Sequence, residues 1–215
     1  MSAPYDILVF DFDGTLVDTL GDITHHANRV LTNYGHSARP MEAVKESIGW
    51  GVHELLKDLA PEFTRDPVKL EQAVDEFKTA YAREPVLQTR PFPGVREVLE
   101  GPLLGTRKAI VTNKPHGITL QILDVLGLSG YFEKVIGMHA GFPPKPDPEA
   151  LNHVIRSFGG SAKKTVYVGD SHVDAQTSLA AGVDFAWVDY GYHAPKDLEP
   201  RYHFSSAKDW VCLVS

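Results

Sequence analysis

Ile7-Leu8-Val9-Phe10-Asp11-Phe12-Asp13-Gly14-Thr15-Leu16-Val17-Asp18 is the stretch from which the architecture can be worked out. Four apolar residues in a row suit a strand buried on both faces. They deliver two carboxylates, one residue apart, to the strand's end. Bare negative charge in such a place is costly unless a proton, a cation or hydrogen-bond donors compensate it. Gly14-Thr15 allows a sharp turn directly afterwards. The local chemistry is that of a hard-cation site with a carboxylate free to attack an electrophile.

Outward from this stretch, strand-like and helix-like segments alternate. Apolar runs at 5–10, 107–112, 134–138, 165–168 and 184–188 read as strands, and none shows the polar alternation of a half-exposed sheet. Between them, Ile118, Ile122, Val125 and Leu126 fall on one helical face, closed by Gly127. Leu151, Val154, Ile155 and Phe158 form another face before Gly159-Gly160, and an alanine-rich helix over 174–181 stops at Gly182. This alternation predicts an α/β protein with a doubly wound, Rossmann-like parallel sheet.

The segment 19–90 breaks the rhythm. It holds no convincing strand, while Val52, Leu55, Leu56 and Leu59 form one helical stripe and Leu70, Val74, Phe77 and Tyr81 a second. Pro40, Pro61 and Pro67 punctuate the pieces, and Arg90-Pro91-Phe92-Pro93-Gly94 reads as a return hinge. The expected organisation is a core made of 1–18 and 91–215, with a helical insertion over 19–90.

Three further polar clusters follow strand-like runs or precede helices. They are Thr112-Asn113 after 108–111, Lys145 between Pro144 and Pro146, and Val168-Gly169-Asp170-Ser171-His172-Val173-Asp174 after 165–167. Together with 11–18, these four motifs resemble, in order and spacing, those of the haloacid dehalogenase-like hydrolase superfamily, over 7 to about 191. The resemblance implies that the helical insertion is a cap closing over the active site. It implies Asp11 as nucleophile, Asp13 as general acid and base, and Lys145 as the balancing charge. Thr112 and Asn113 would bind the transferring phosphoryl group. Mg2+ would be held by Asp11, the backbone carbonyl of Asp13 and Asp170, with Asp174 in an outer role or serving only as a helix cap. Asp18 is expected to be structural.

The cap should choose the substrate. Ile48-Gly49-Trp50-Gly51-Val52-His53-Glu54-Leu55-Leu56 resembles the cap segment of phosphoglycolate phosphatases, and Thr112-Asn113-Lys114-Pro115 also looks like that subfamily. Gly49 and Gly51 would then let the chain approach an anionic substrate group, with the amides that open the next helix as donors; the plainer alternative is a helix-initiating turn. Trp50 is expected to narrow the pocket. His25 and His26 cannot share a helical face, so they read as ordinary histidines. His172 is a weak candidate for the metal's surroundings, and His139, His193 and His203 carry no signal.

Composition sets the remaining limits. The chain has 215 residues, 43% of them apolar, and a formal charge of −7. That acidity argues against nucleic acid as a partner, although acids gathered at a metal would leave the surface less acidic. One cysteine, Cys212, excludes an internal disulfide. No run reaches membrane-spanning length and the first residues lack a signal-peptide pattern. The expectation is a cytoplasmic enzyme, monomer or homodimer, hydrolysing a small phosphorylated metabolite with 2-phosphoglycolate favoured. A pyrophosphatase, a sugar-phosphate phosphatase or phosphomutase, and a non-catalytic binding protein on the same fold are the alternatives.

Overall fold

The computed structural model describes residues 4–195 and 199–215. Its centre is a six-stranded parallel sheet of β1 (Ile7–Phe10), β4 (Arg107–Pro115), β5 (Lys134–Met138), β6 (Thr165–Gly169), β7 (Asp184–Val188) and β8 (Tyr202–Phe204), ordered β5-β4-β1-β6-β7-β8. The remaining two strands, β2 (Val17–Asp18) and β3 (Arg90–Pro91), pair antiparallel as a short separate ribbon. Strand residues alternate between two apolar cores, as the period of two requires. Leu8 and Phe10 join one cluster with Val166 and Val168, and Ile7 and Val9 the other with Tyr167. On the first side lie α5 (Val95–Glu100), α6 (His116–Val125) and the 3-10 segment Ala207–Leu213, whose Trp210 packs 5.1 Å from Phe10. On the second lie α7 (Glu149–Ser157) and α8 (His172–Ala181).

Between β2 and β3 the chain forms α1 (Leu20–Asn33), α2 (Met41–Glu46), α3 (Val52–Leu59) and α4 (Pro67–Arg83), with a 3-10 turn at Pro61–Arg65. All eight residues of the two expected stripes are buried: Val52, Leu55, Leu56 and Leu59 on α3, and Leu70, Val74, Phe77 and Tyr81 on α4. Burying each such side chain stabilises by roughly 1.5–3 kcal/mol, which is why a helical sequence with few local caps holds here. Asp66 is the exception, capping α4 by accepting from Lys69 N. The ribbon of β2 and β3 carries the chain out to these helices and back. Asp22, at the start of α1, clamps the returning chain just ahead of β3: its fully buried carboxylate accepts from the backbone N–H of Leu87, Gln88 and Thr89 and from the Thr89 hydroxyl.

The five expected strands are all present, with differences at their ends. β1 begins at Ile7, and β4 runs on to Pro115 through a register shift against β5 after Val111. β8 and the β2–β3 ribbon were not expected, because strands of two or three residues carry too few side chains for a periodic signal. On α6 the buried face is Ile118, Thr119, Ile122 and Leu123. Val125 is 60% exposed, so its place in the expected stripe is corrected: the helix is rotated to bury the side centred between 118 and 123. Among the described residues no helix is long and apolar enough to cross a membrane.

Candidate active site

The polar residues converge at the carboxyl ends of β1, β4 and β6. From β1 the chain order runs to β4 and β5 on one side and to β6, β7 and β8 on the other. A crevice opens at such a switch point in parallel sheets. Here it is a cleft of about 610 Å³, including its open mouth, lined on the core side by Asp11, Asp13, Thr112, Asn113, Lys114, Lys145 and Asp170. The helical insertion supplies the opposite wall through Ile23, Ile48, Gly49, Gly51, Val52, Leu55, Phe77 and Tyr81.

Asp11 leaves β1 8% exposed, with Oδ1 2.9 Å from the Lys145 ammonium but without hydrogen-bond alignment. Lys145 Nζ also donates to Asp174 Oδ1 at 2.6 Å and to the Tyr167 hydroxyl at 3.0 Å. Burial alone would lower the Lys145 pKa, but Asp11 and Asp174 beside it lift it well above the ordinary value, so the ammonium keeps its charge. Burial, followed by the charge of Asp174, pushes Asp11 up to about 7 against the opposing pull of Lys145. Burial and the charges of Asp174 and Asp11 likewise raise Asp170.

Asp170 is set by its own contacts. Oδ1 accepts from the Thr15 hydroxyl at 3.2 Å and Oδ2 from Tyr192 N at 2.8 Å. Gly14, at φ +80°, passes so close that a Cβ there would lie 2.5 Å from Asp170 Oδ2, so only glycine fits the turn after Asp13. Asp13 Oδ1 accepts from Thr19 Oγ1 at 2.6 Å and from Lys114 Nζ at 2.9 Å. The Tyr192 hydroxyl accepts from Thr19 N and donates to Asp18 Oδ1, and Asp18 stays in the β2–β3 ribbon rather than in the lining of the cleft.

The acidic side chains fit a hard cation. Oxygen atoms of Asp11, Asp170 and Asp174 lie within 4.8 Å of one another, all three residues are buried, and Lys145 is the ammonium in contact with two of them. The poorly aligned Asp11 Oδ1 and the raised proton affinities of Asp11 and Asp170 mark carboxylates short of positive charge. Asp174 differs from the other two. Its Oδ2 accepts from Ser171 N and Oγ in a capping box at the start of α8, and its Oδ1 faces Lys145 and Tyr167. Both oxygens are already engaged, so this side chain bears on the cleft through Lys145.

Asn113 does more than present its backbone. Its Nδ2 donates to Gly49 O and Lys145 O, each at 3.0 Å, and its Oδ1 accepts from Lys145 N at 2.8 Å. One amide therefore ties the core strand, the Lys145 loop and the cap loop together. His193 adds a second tie, its Nε2 3.1 Å from Ile48 O, with burial lowering its pKa. Trp50 does not narrow the cleft: it is 40% exposed and packs on His172, 5.5 Å between rings. His26 is buried against Tyr81, 4.6 Å between stacked rings, while His25 is exposed. Lys114, Thr19, Tyr192 and His193 were absent from the expected site. Only Lys114 had an available signal, since Thr112-Asn113-Lys114-Pro115 resembles phosphoglycolate phosphatases, but that resemblance gave it no role.

Known proteins resemble this chain in sequence and in fold. The family model described as haloacid dehalogenase-like hydrolase matches residues 8–188. A phosphoglycolate phosphatase of Nitrosospira multiformis is 35% identical over 91% of this chain and 88% of its own length. One from Cupriavidus necator is 37% identical over 91% and 85%. A solved structure from Haemophilus somnus 129PT, described as a predicted phosphoglycolate phosphatase, superposes with a TM-score of 0.87 at 25% identity, covering 96% of each chain. With its sheet order, its paired aspartates at the end of the first strand and a match spanning most of its length, the chain belongs to the haloacid dehalogenase-like hydrolases.

Proposed function

We propose that this protein is a magnesium-dependent phosphomonoesterase acting on 2-phosphoglycolate. The observation that carries the reaction type is the pairing of Asp11, beside Lys145, with Asp13 on one wall of a single cleft. Phosphoryl transfer asks chiefly for positioning and charge compensation. Asp11 attacks phosphorus and forms an aspartyl-phosphate as the glycolate oxygen departs. Asp13 protonates that oxygen, then removes a proton from the water that hydrolyses the intermediate. Lys145, held by Asp174 and Tyr167, keeps its charge beside the phosphoryl oxygens, and the Thr112 hydroxyl and Asn113 backbone donate to them. Magnesium held by Asp11, the Asp13 carbonyl and Asp170 would supply the charge that lets an anionic substrate approach anionic side chains. Asp174 takes the outer role, orienting Lys145 and bounding the metal site from behind.

The choice of substrate is supported by the names of the relatives and by the shape of the cap loop. Gly49 and Gly51 have φ of +125° and +88°, and both line the cleft. A Cβ on Gly51 would meet Met138 Cε at 2.5 Å, so the loop lies close against the core. The first amides of α3 have no side-chain cap and serve as donors to the substrate's anionic end. The segment 19–90 acts as the cap, closing on the ribbon of β2 and β3. The absence of internal disulfide chemistry fits a cytoplasmic setting.

The test is phosphate release with magnesium across 2-phosphoglycolate, sugar phosphates, nucleotides and pyrophosphate. A clear optimum for 2-phosphoglycolate is expected, and Asp11→Asn should lower turnover by at least about 10⁴-fold. Wild-type turnover in that variant would remove the covalent route. A sugar-phosphate or flat profile would remove the substrate assignment.

A further inference from the structure

Lys114 is a buried cation on the leaving-group side of the cleft. It is 6% exposed, follows Thr112 and Asn113 on β4, and lines the pocket. Its ammonium has three hydrogens to place. One goes to Asp13 Oδ1 at 2.9 Å and one to the Tyr81 hydroxyl at 3.2 Å, with Nζ 4.5 Å from the centre of the Tyr81 ring. The third has no protein acceptor among the described residues. Asp13 is the group that hands its proton to the leaving oxygen, so whatever departs from phosphorus passes beside this ammonium.

The facing wall makes the charge more significant. Ile23, Ile48, Val52, Leu55 and Phe77 are apolar, and the insertion sends no charged side chain into the cleft among the described residues. Lys145 is occupied by Asp11, Asp174 and Tyr167 on the phosphoryl side. Beside the uncapped first amides of α3, an anionic leaving group therefore meets one ammonium with a free donor, and that ammonium comes from the core. A polyhydroxylated leaving group would lose water to an apolar wall with few compensating partners.

We propose that Lys114 is a specificity-determining residue that binds the carboxylate of the leaving group, making the enzyme selective for short phosphorylated acids. The proposal rests on the phosphomonoesterase reading of this cleft. Tyr81, reaching from α4, completes the seat of Lys114, so the carboxylate position is formed when cap and core are together.

The decisive quantity is a ratio: kcat/KM for 2-phosphoglycolate divided by that for 2-hydroxyethyl phosphate, which has the same length without the carboxylate. In Lys114→Met the ratio should fall about 100-fold, since a charge-assisted contact is lost for one substrate only. Lys114→Arg should retain part of it. A variant whose two values fall together would show that Lys114 only holds Asp13, and would overturn the assignment. If the Met variant is too slow to measure, 2-phosphoglycolate binding is read by calorimetry in Asp11→Asn with and without Lys114→Met. Binding weakened by the second change supports the assignment, and equal binding overturns it. A wild-type enzyme without preference between the two compounds would instead sink the 2-phosphoglycolate reading, and this assignment with it.

Discussion

On the core side of the cleft, Asp11, Asp13, Lys114, Lys145 and Asp170 stand at strand ends or in the loops that follow them, each pinned by one or more short polar contacts. On the cap side, Ile23, Ile48, Val52, Leu55 and Phe77 offer shape and dryness, with the Tyr81 hydroxyl and the uncapped first amides of α3 as its polar points. The two walls are held differently. Sheet ladders and buried ion pairs fix the core wall, whereas the cap wall hangs on a two-stranded ribbon and an apolar cluster. Charges that must be aligned to within fractions of an ångström belong on the rigid wall. A wall whose task is to exclude water and admit one shape is free to move.

The sharpest way to break this contrast is to remove one core carboxylate. Asp170→Asn should raise the magnesium concentration needed for half-maximal activity by more than about 100-fold, since even outer partners of a metal matter by 10- to 100-fold. A magnesium titration of phosphate release reads it, and an unchanged midpoint would dismiss Asp170 as a ligand. Next comes the joint between the walls. Asn113→Ala strands Gly49 O and both backbone groups of Lys145, so kcat/KM should fall by roughly 10-fold and stability by about 1–3 kcal/mol. Wild-type kinetics in that variant would mean that the walls function independently.

The smallest expected effect lies at the start of α1, beside the ribbon and away from the chemistry. Asp22→Asn should destabilise by about 2 kcal/mol at neutral pH, because the carboxylate accepts four hydrogen bonds in a fully buried place. Burial works to raise the Asp22 pKa, but the donors from Thr89, Leu87 and Gln88 outweigh it and hold it below the usual carboxylate value. A depressed folded-state pKa makes this stabilisation complete above the unfolded value of roughly 4 and progressively lost as pH falls through the folded value. Thermal melts from pH 7 down to pH 3 should therefore show wild type and variant converging in acid. A gap that stays constant would mean that the charge of Asp22 contributes nothing and that shape alone holds the ribbon.

Local pattern was enough for much of this molecule. Buried runs such as Ile7-Leu8-Val9-Phe10 announce strands because every side chain in them must avoid water, and the stripes on α3 and α4 announce helices for the same reason. Asp11 and Asp13 were legible because the strand that carries them ends beside them in the chain. Val125 was misplaced, since periodicity marks an apolar arc but not which part of it the neighbours cover. Trp50 was misplaced because its direction depends on His172, far away in sequence.

The sequence by itself determined the parallel sheet and the helical insertion, each written in a short period, while the acids and the lysine that line the cleft were named through the resemblance of four motifs to a known family. Only the tertiary structure decided the company those groups keep. Lys114 meets Asp13 across 101 positions, Tyr192 meets Thr19 across 173 and Asn113 meets Gly49 across 64. Contacts of that kind follow from how the sheet stacks its strands and how the ribbon returns the cap, and no local pattern of side chains encodes them.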